Sequence, residues 1–222
     1  KPLPLQEPYE SDTLDLSNAK MDPGHIVILS WWLATDAAAA IARLTLSGNM
    51  ITGSRQEWDD DVEDEVWIYD KDLSGLASLC DAFLTLKTPI ELDLSNCGLS
   101  VNGVNPLAKA ISAGGAVEAV AIGGNPITSA GGATLLETIK TSKLKTIDIG
   151  KPLPLQEPYE SDTLDLSNAK MDPGHIVILS WWLATDAAGA VTSVNCLNNP
   201  LGEGLHIIIK VFEETPRLRT LC

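Results

Sequence analysis

A short apolar motif recurs along this chain, and its spacing restricts the fold more than any other feature. It reads "LDLSNCGL" from Leu92 and "VAIGGNPI" from Val120, with an apolar–any–apolar triplet, two further residues, then Asn or a small residue, any residue and a last apolar residue. The usual interval between triplets is about 28 residues, the size of one supersecondary repeat. Triplets begin at Leu14, Leu44, Leu92, Val120, Ile147, Leu164 and Val194, which lie 30, 48, 28, 27, 17 and 30 residues apart.

Each part of the motif has a physical meaning. The triplet is a short strand that buries alternate side chains. The Asn in the sixth position, as in Asn49, Asn125 and Asn199, is expected to bond the backbone of neighbouring turns, where strand pairing has ended. A helix then begins near a Gly and turns an apolar stripe inward, because Leu107 and Ile111 stand four residues apart. The pattern therefore predicts an alternation of strand, turn and helix.

This pattern resembles the leucine-rich repeat family, specifically its ribonuclease-inhibitor-like class, whose repeats are about 28 residues long. The resemblance covers nearly the whole chain. It implies an α/β fold, a leucine-rich repeat solenoid with parallel strands on the concave face and helices on the convex face, as a single domain over residues 1–222. It implies protein binding far more often than chemistry, and it does not identify the partner.

Residues 1–38 and 151–188 are identical letter for letter. The other units share only their structural positions, so this identity favours a transplanted segment or a fragment of a longer array, with recombination in a natural gene as the alternative. The strand "TIDI" precedes the second copy, and no such strand precedes the first. The first copy is therefore expected to be less protected, at Leu14, Leu16 and Trp32, or to be covered by another chain.

The 48-residue interval contains an acidic insertion at residues 54–72. Nine of the sixteen residues 57–72 are acidic, and Trp58, Trp67 and Tyr69 lie among them. Like charges repel one another, so the insertion is expected to be exposed. Three interpretations stay open: a docking loop for a basic partner, a calcium site without the usual ligand spacing, and a solvated loop without a ligand. The candidate binding residues in this insertion are Trp58, Asp59, Asp60, Asp61 and Trp67.

The residue between the two apolar residues of each triplet points away from the core. Four of the seven such residues are Asp. Adjacent strands lie about 4.8 Å apart, so these carboxylates are expected to form an acidic strip. The functional interpretation is a groove for a basic peptide or helix, and the alternative is a solvated sheet face without a ligand. The candidate binding residues on this face are Asp15, Arg43, Thr45, Glu91, Asp93, Asp148, Asp165 and Asn195.

Two adjacent tryptophans occur in the helical part of each copy. The segment "HIVILSWWL" is apolar on more than one stripe, and a helix of that kind is usually buried on both sides. Trp32 is expected on one stripe with Ile28, and Trp31 on the flank. Either the adjacent Pro-rich segment covers this helix, or another protein does. Trp31 and its counterpart Trp181 are therefore candidate binding residues.

The sequence carries no motif of the common hydrolases, metalloproteases or nucleotide-binding enzymes. Three SxxK matches are short enough to arise by chance. His25, His175 and His206 each lie early on a predicted helix, without an obvious second metal ligand nearby. We therefore expect no catalytic residue, no metal, no cofactor and no enzymatic activity.

The formal net charge of −15 argues against nucleic acids and anionic membrane surfaces as partners, since both attract a basic patch. No apolar stretch is long enough for a membrane span. The four cysteines form no CxxC pair, which favours reduced, mostly buried thiols. No signal peptide is visible, although the N-terminus looks truncated, so an intracellular, cytoplasmic location is expected.

Together these observations predict a non-catalytic protein–protein interaction scaffold that binds a protein partner of basic charge. The alternative is a structural subunit of a larger assembly or filament, which associates with itself through uncapped terminal repeats. The alternative rests on the need of repeat arrays for polar caps at their ends.

Overall fold

A computed structural model of the chain describes residues 3–222, in which short strands and helices follow one another. The strands are β1 (Thr13–Asp15), β2 (Arg43–Thr45), β3 (Arg55–Asp59), β4 (Asp64–Ile68), β5 (Ile90–Asp93), β6 (Val117–Ala121), β7 (Thr146–Asp148), β8 (Pro152–Pro154), β9 (Thr163–Asp165), β10 (Ser193–Asn195) and β11 (Thr220–Leu221). The helices are α1 (Pro23–Leu33), α2 (Ser74–Phe83), α3 (Val101–Ser112), α4 (Thr128–Thr141), α5 (Pro173–Leu183) and α6 (Gly204–Glu214). The predicted alternation fits only in part, because β3–β4 and β7–β8 are strand pairs without a helix between them.

The strands are divided among three sheets. The largest has six strands in the order β1-β2-β5-β6-β7-β8, and its pairs are parallel except for β7–β8. A second, parallel sheet has the order β11-β10-β9, and the third is the antiparallel hairpin β3–β4. The helices pack in chain order, each against the next. The molecule is therefore mixed α/β with one mixed sheet.

The expected leucine-rich repeat solenoid, with all its strands parallel on one concave face, is wrong for this structure. β8 runs antiparallel to β7 along the edge where β9 would have to pair, and Leu155 N donates to Lys145 O at 2.8 Å. Pro152 and Pro154 carry no N–H, so β8 cannot extend the ladder to a further strand. Within residues 3–222, β9 pairs with β10 alone. The Pro-rich segment is extended, as its sequence indicates, but its pairing with β7 is not predictable from the motif.

The apolar residues of the motif form the core. Leu46, Leu94 and Ile122, at equivalent positions of successive units, are all fully buried. The inward stripe of α3 contributes Leu107 and Ile111 to the same hydrophobic cluster. The burial of alternate side chains that the triplets predict is therefore confirmed at these positions.

Asparagine side chains link successive turns, as the sequence predicts. The amide nitrogen of Asn125 donates to Leu94 O at 2.8 Å and to Ile122 O at 2.7 Å. Its Oδ1 accepts from the backbone N–H groups of Cys97 and Leu99. The equivalent bonds form at Asn49 and Asn199. Backbone groups beyond the strand ends are thus satisfied by a side-chain amide, which is buried at Asn49 and Asn125.

The two identical copies adopt the same local structure. In the first copy, Trp32 is buried, and its Nε1 donates to Pro4 O at 2.6 Å. The Tyr9 ring stands edge-on to Trp32, with ring centroids 5.8 Å apart. In the second copy, Trp182 makes the same bond to Pro154 O at 2.7 Å. The Pro-rich segment therefore covers the second tryptophan of each pair from within the chain.

The two copies differ in the burial of their side chains, but not mainly at the residues where the sequence predicts a difference. The strand β7, which contains the first three residues of "TIDI", does not pair with β9. Leu14 and Trp32 are fully buried, so the expected loss of cover at these two residues is wrong. Leu16 is only partly buried, whereas Leu166 is 1% exposed. The strands of the two copies therefore differ little in burial, and the larger difference in burial lies between the helices α1 and α5.

Candidate functional site

The acidic insertion folds as the hairpin β3–β4. Gln56 lies opposite Trp67, and Trp58 lies opposite Glu65. Residues that face each other or alternate along a strand share one side of a two-stranded ribbon, so Trp58 and Trp67 lie on the same side. Tyr69 continues that side and stacks on Trp67, with ring centroids 5.7 Å apart and planes 6° apart. These residues, with Trp58 63% exposed, form what we call the aromatic face: Trp58, Trp67 and Tyr69.

The carboxylates of the hairpin are mostly unneutralised. Glu57 forms ion pairs with both Lys71 and Arg55. The hydrogen bond from Lys71 lowers the pKa of Glu57 most, and the hydrogen bond from Arg55 lowers it further. Among residues 3–222, no Lys, Arg or His lies in an ion pair with Asp59, Asp60 or Asp61; Asp60 Oδ1 accepts instead from Trp58 Nε1 at 2.9 Å. The aromatic face therefore lies in a strongly negative field.

The base of the hairpin is anchored in the rest of the molecule. Ser54 Oγ donates to Gly98 O and accepts from Asp70 N. Asp70 Oδ2 accepts from the N–H groups of Ser100, at 3.0 Å, and Gly103, at 2.7 Å, at the start of α3. Asp70 therefore caps α3. The predicted insertion, residues 54–72, thus has structural residues at both ends, and a deletion that removes only the hairpin must spare Ser54 and Asp70.

Five of the predicted sheet-face residues line one shallow cavity of about 400 Å³ over β2, β5, β6 and β7. Asp15 lies one strand further out on β1, and Asp165 and Asn195 lie on the other sheet. The structure therefore does not gather all eight predicted residues into one strip. The five that line the cavity are Arg43, Thr45, Glu91, Asp93 and Asp148.

The Asp and Asn residues on these strands have a structural role that sequence inspection missed. Asp93 Oδ1 accepts from Ser95 N at 2.9 Å, and Asp148 Oδ1 accepts from Gly150 N at 2.7 Å. Such a bond to the N–H two residues on is an Asx turn, and the spacing "D-x-S" or "D-x-G" after an apolar residue is its signal. The same bond forms at Asp15, Asp165 and Asn195.

The charge of the cavity is also partly compensated. Arg43 Nε lies 2.8 Å from Glu91 Oε2 across the β2–β5 pair. Burial raises the pKa of Asp148, and the nearby Asp93 adds to this effect. The Arg43–Glu91 pair thus neutralises one carboxylate of this face, and the free-energy cost of ionising Asp148 is higher than in water.

The remaining predicted tryptophans lie on other elements. Trp31 lies on α1 and is exposed, whereas its counterpart Trp181 lies on α5 and packs partly against the core. His25 and His175 begin these helices, where each takes part in a capping box with the preceding Asp. Within residues 3–222, no group of three or more His, Cys, Asp and Glu side chains is arranged to hold a metal ion. That finding removes support from the calcium interpretation of the hairpin.

Three of the four thiols are buried, as expected. Burial raises the pKa of Cys80 and Cys97 to about 12, and that of Cys196 to about 11. Cys222 is exposed, and none of the four forms a disulfide. Thiolates are the nucleophilic form, so the buried cysteines are poorly suited to nucleophilic chemistry.

Among the described helices, none has both the length and the hydropathy to cross a bilayer.

No family model matches the chain, and no curated protein matches it. The resemblance to leucine-rich repeat proteins therefore stays a prediction, and the function must be argued from the chain itself.

Proposed function

We propose that this chain is a non-catalytic protein-interaction scaffold that binds a Lys- or Arg-rich segment of a partner protein on the aromatic face. One observation carries the proposal: three aromatic side chains are exposed together on one side of a hairpin in which Glu57 pairs with Arg55 and Lys71, while Asp59, Asp60 and Asp61 lie in no ion pair with a described residue. Aromatic rings attract cations above their faces, and the negative field draws a basic segment toward them. The same field repels nucleic acids and anionic membranes.

The sheet face supports this function less strongly. Its Asp side chains close Asx turns, and its Arg43–Glu91 pair neutralises one carboxylate. No observation favours catalysis, a cofactor or a metal, and buried reduced thiols fit an intracellular, cytoplasmic setting. The hairpin is therefore the site to test first.

The test uses a fluorescein-labelled peptide of alternating Arg and Ser residues, with a Glu–Ser peptide of equal length as the control. The change Trp58→Ala with Trp67→Ala should weaken binding roughly tenfold, since two exposed cation–π contacts contribute about 0.5–1 kcal/mol each. Trp31→Ala is the matched control, because Trp31 is equally exposed but lies on α1. Added salt should weaken the wild-type complex. Equal affinity of the double variant and the wild type would show that charge alone holds the peptide.

Self-association is the second candidate function. The outer surfaces of the first and last helices in the packed row expose large apolar side chains: Val27, Ile28 and Trp31 on α1, and Leu205 and Ile209 on α6. Sedimentation over a range of concentrations decides this point. A monomer at the highest concentration would count against it.

A further inference from the structure

A carboxylate lies among the rings of the aromatic face. Glu65 lies opposite Trp58 on the neighbouring strand and two residues before Trp67 on its own strand. Residues related in either way share one side of a ribbon, so the Glu65 side chain stands between the two indole groups. Gln56, which lies opposite Trp67, occupies the fourth corner. We call these four residues the indole–carboxylate patch: Gln56, Trp58, Glu65 and Trp67.

The two indole groups of the patch are held in place by neighbouring side chains. Trp58 Nε1 donates to Asp60 Oδ1 at 2.9 Å, and the ring of Trp67 stacks on that of Tyr69. Tyr69 therefore covers one face of Trp67 and leaves the other face free. Diagonal positions of an antiparallel pair lie about 7–8 Å apart, so a cation between the two indoles can approach both rings to within the roughly 6 Å of a cation–π contact.

The carboxylate of the patch has no cation of its own. Arg55 and Lys71 both pair with Glu57, which lies on the other side of the ribbon. Glu65 is exposed, and it forms no ion pair with any of residues 3–222. A cation that binds to the patch would therefore meet an unpaired carboxylate as well as two aromatic rings.

This combination of groups suits a guanidinium better than an ammonium. A guanidinium is planar and weakly hydrated, so its face stacks on an aromatic ring while the N–H groups on its edge donate to a carboxylate in a bidentate pair. An ammonium is a compact, strongly hydrated point charge without a flat face. Where a carboxylate stands beside an indole, a guanidinium uses both groups in one geometry.

We propose that the indole–carboxylate patch is a binding site for an arginine side chain, through which the hairpin selects arginine over lysine in a basic segment. The guanidinium lies between the rings of Trp58 and Trp67 and donates to Glu65. Asp60 and Tyr69 act as positioning residues, since they hold the two indoles. This inference rests on the function proposed for the hairpin and adds the identity of the cation to it.

The test compares peptides that differ only in their cation. Fluorescein-labelled Arg–Ser and Lys–Ser peptides of equal length are titrated with the chain, and fluorescence anisotropy gives each Kd. The Arg peptide should bind about fivefold more tightly, which is the size of one well-placed exposed ion pair. A peptide of asymmetric dimethylarginine keeps the charge but blocks the bidentate pair, so its Kd should approach that of the Lys peptide.

A matched pair of variants isolates the role of the carboxylate. Glu65→Gln removes it from the patch, so the two peptides should then bind with about equal affinity. Glu63→Gln removes the same charge from the turn of the hairpin, between β3 and β4. This control should weaken both peptides alike and leave the preference for arginine intact.

The outcomes distinguish this inference from the proposed function. Suppose that Trp58→Ala with Trp67→Ala weakens binding of the Arg peptide. If the wild type then binds the Arg and Lys peptides equally, or if Glu65→Gln keeps the preference, the arginine site is wrong and the binding function stands. A trimethyllysine peptide that binds more tightly than the Arg peptide would also overturn the choice of guanidinium. If the wild type does not bind the Arg peptide, or the double variant binds it equally well, both proposals fail.

Discussion

Gly24 and Gly174 offer a matched pair of substitutions, because they occupy the same position in identical segments. Each lies in the first turn of its helix. Alanine in place of glycine favours a helix by up to about 1 kcal/mol, and this gain is the same at both sites because the local letters are the same. The difference between Gly24→Ala and Gly174→Ala therefore isolates the cost of packing.

That cost falls on Gly174 alone. Its new Cβ would overlap the Thr128 carbonyl and crowd Ile127, so α4 and α5 would have to separate. Overpacking of this kind costs about 1–3 kcal/mol. At Gly24 the nearest heavy atom is at an ordinary contact distance of 3.4 Å. Gly174→Ala should therefore be less stable than Gly24→Ala by about 1–3 kcal/mol.

Urea unfolding followed by circular dichroism measures both free energies in the same buffer. Gly24→Ala should match or exceed the wild type, and Gly174→Ala should unfold at lower urea with a similar slope. Equal stability of the two variants would mean that α4 does not press on α5 at this point. The difference in packing described for the two copies would then lose its basis.

Four other results are expected. Asn125→Ala should lower the free energy of unfolding by about 3–5 kcal/mol, because its amide satisfies four backbone groups, whereas Asn102→Ala on the exposed side of α3 should change it by less than about 0.5 kcal/mol in the same urea assay. Burial raises the pKa of Asp148, so the stability that this residue contributes is complete below pH 3.8 and is lost as the pH rises through the raised pKa. Asp148→Asn should therefore raise the free energy of unfolding at pH 7, and this gain should disappear on acidification. The pH dependence is the opposite at Asp165, since a backbone hydrogen bond lowers the pKa of its carboxyl group. Asp165→Asn should lower the free energy of unfolding at pH 7, and this loss of stability should vanish as the pH falls through the lowered pKa. The same urea assay, repeated over a range of pH, measures it. A disulfide reagent at neutral pH should react quickly with Cys222 alone in the folded chain and with all four thiols after unfolding, and rapid reaction of a second thiol in the fold would contradict the burial described above.

Much of the local structure was predictable because it depends on short-range periodicity. The triplets became strands, Leu94 and Ile122 entered the core, and Asn125 bonded the neighbouring turn. The pairing of β8 with β7 was not predictable, since the motif carries no information on which edge a Pro-rich segment will occupy. In the hairpin, the alternation around Trp58 and Trp67 signals strands, but the density of charge suggests a loop.

For the candidate sites, too, some features could be predicted from the sequence and others could not. The exposure of Trp58 followed from its acidic neighbours, but its alignment with Trp67 required the register of the hairpin. The Asp residues of the sheet face were identified correctly as outward, yet their use in Asx turns made them a weaker site than expected. The different exposure of Trp31 and Trp181 could not be predicted from the local sequence. Identical letters give identical predictions, and only long-range packing separates them.

The seam between β7 and β9 has a consequence for how the molecule comes apart. Within residues 3–222 no strand hydrogen bonds cross it, so the sheet of β9, β10 and β11 is joined to the rest mainly through the contact of α4 with α5. The helix α6 beyond the seam buries only Gly204 and Ile208. Cooperative opening follows the distribution of buried contacts, so we expect α6 and β11 to open more readily than α5, which buries eight residues. A protease, or a pulling force on the C-terminus, would release this part first and leave the larger sheet folded.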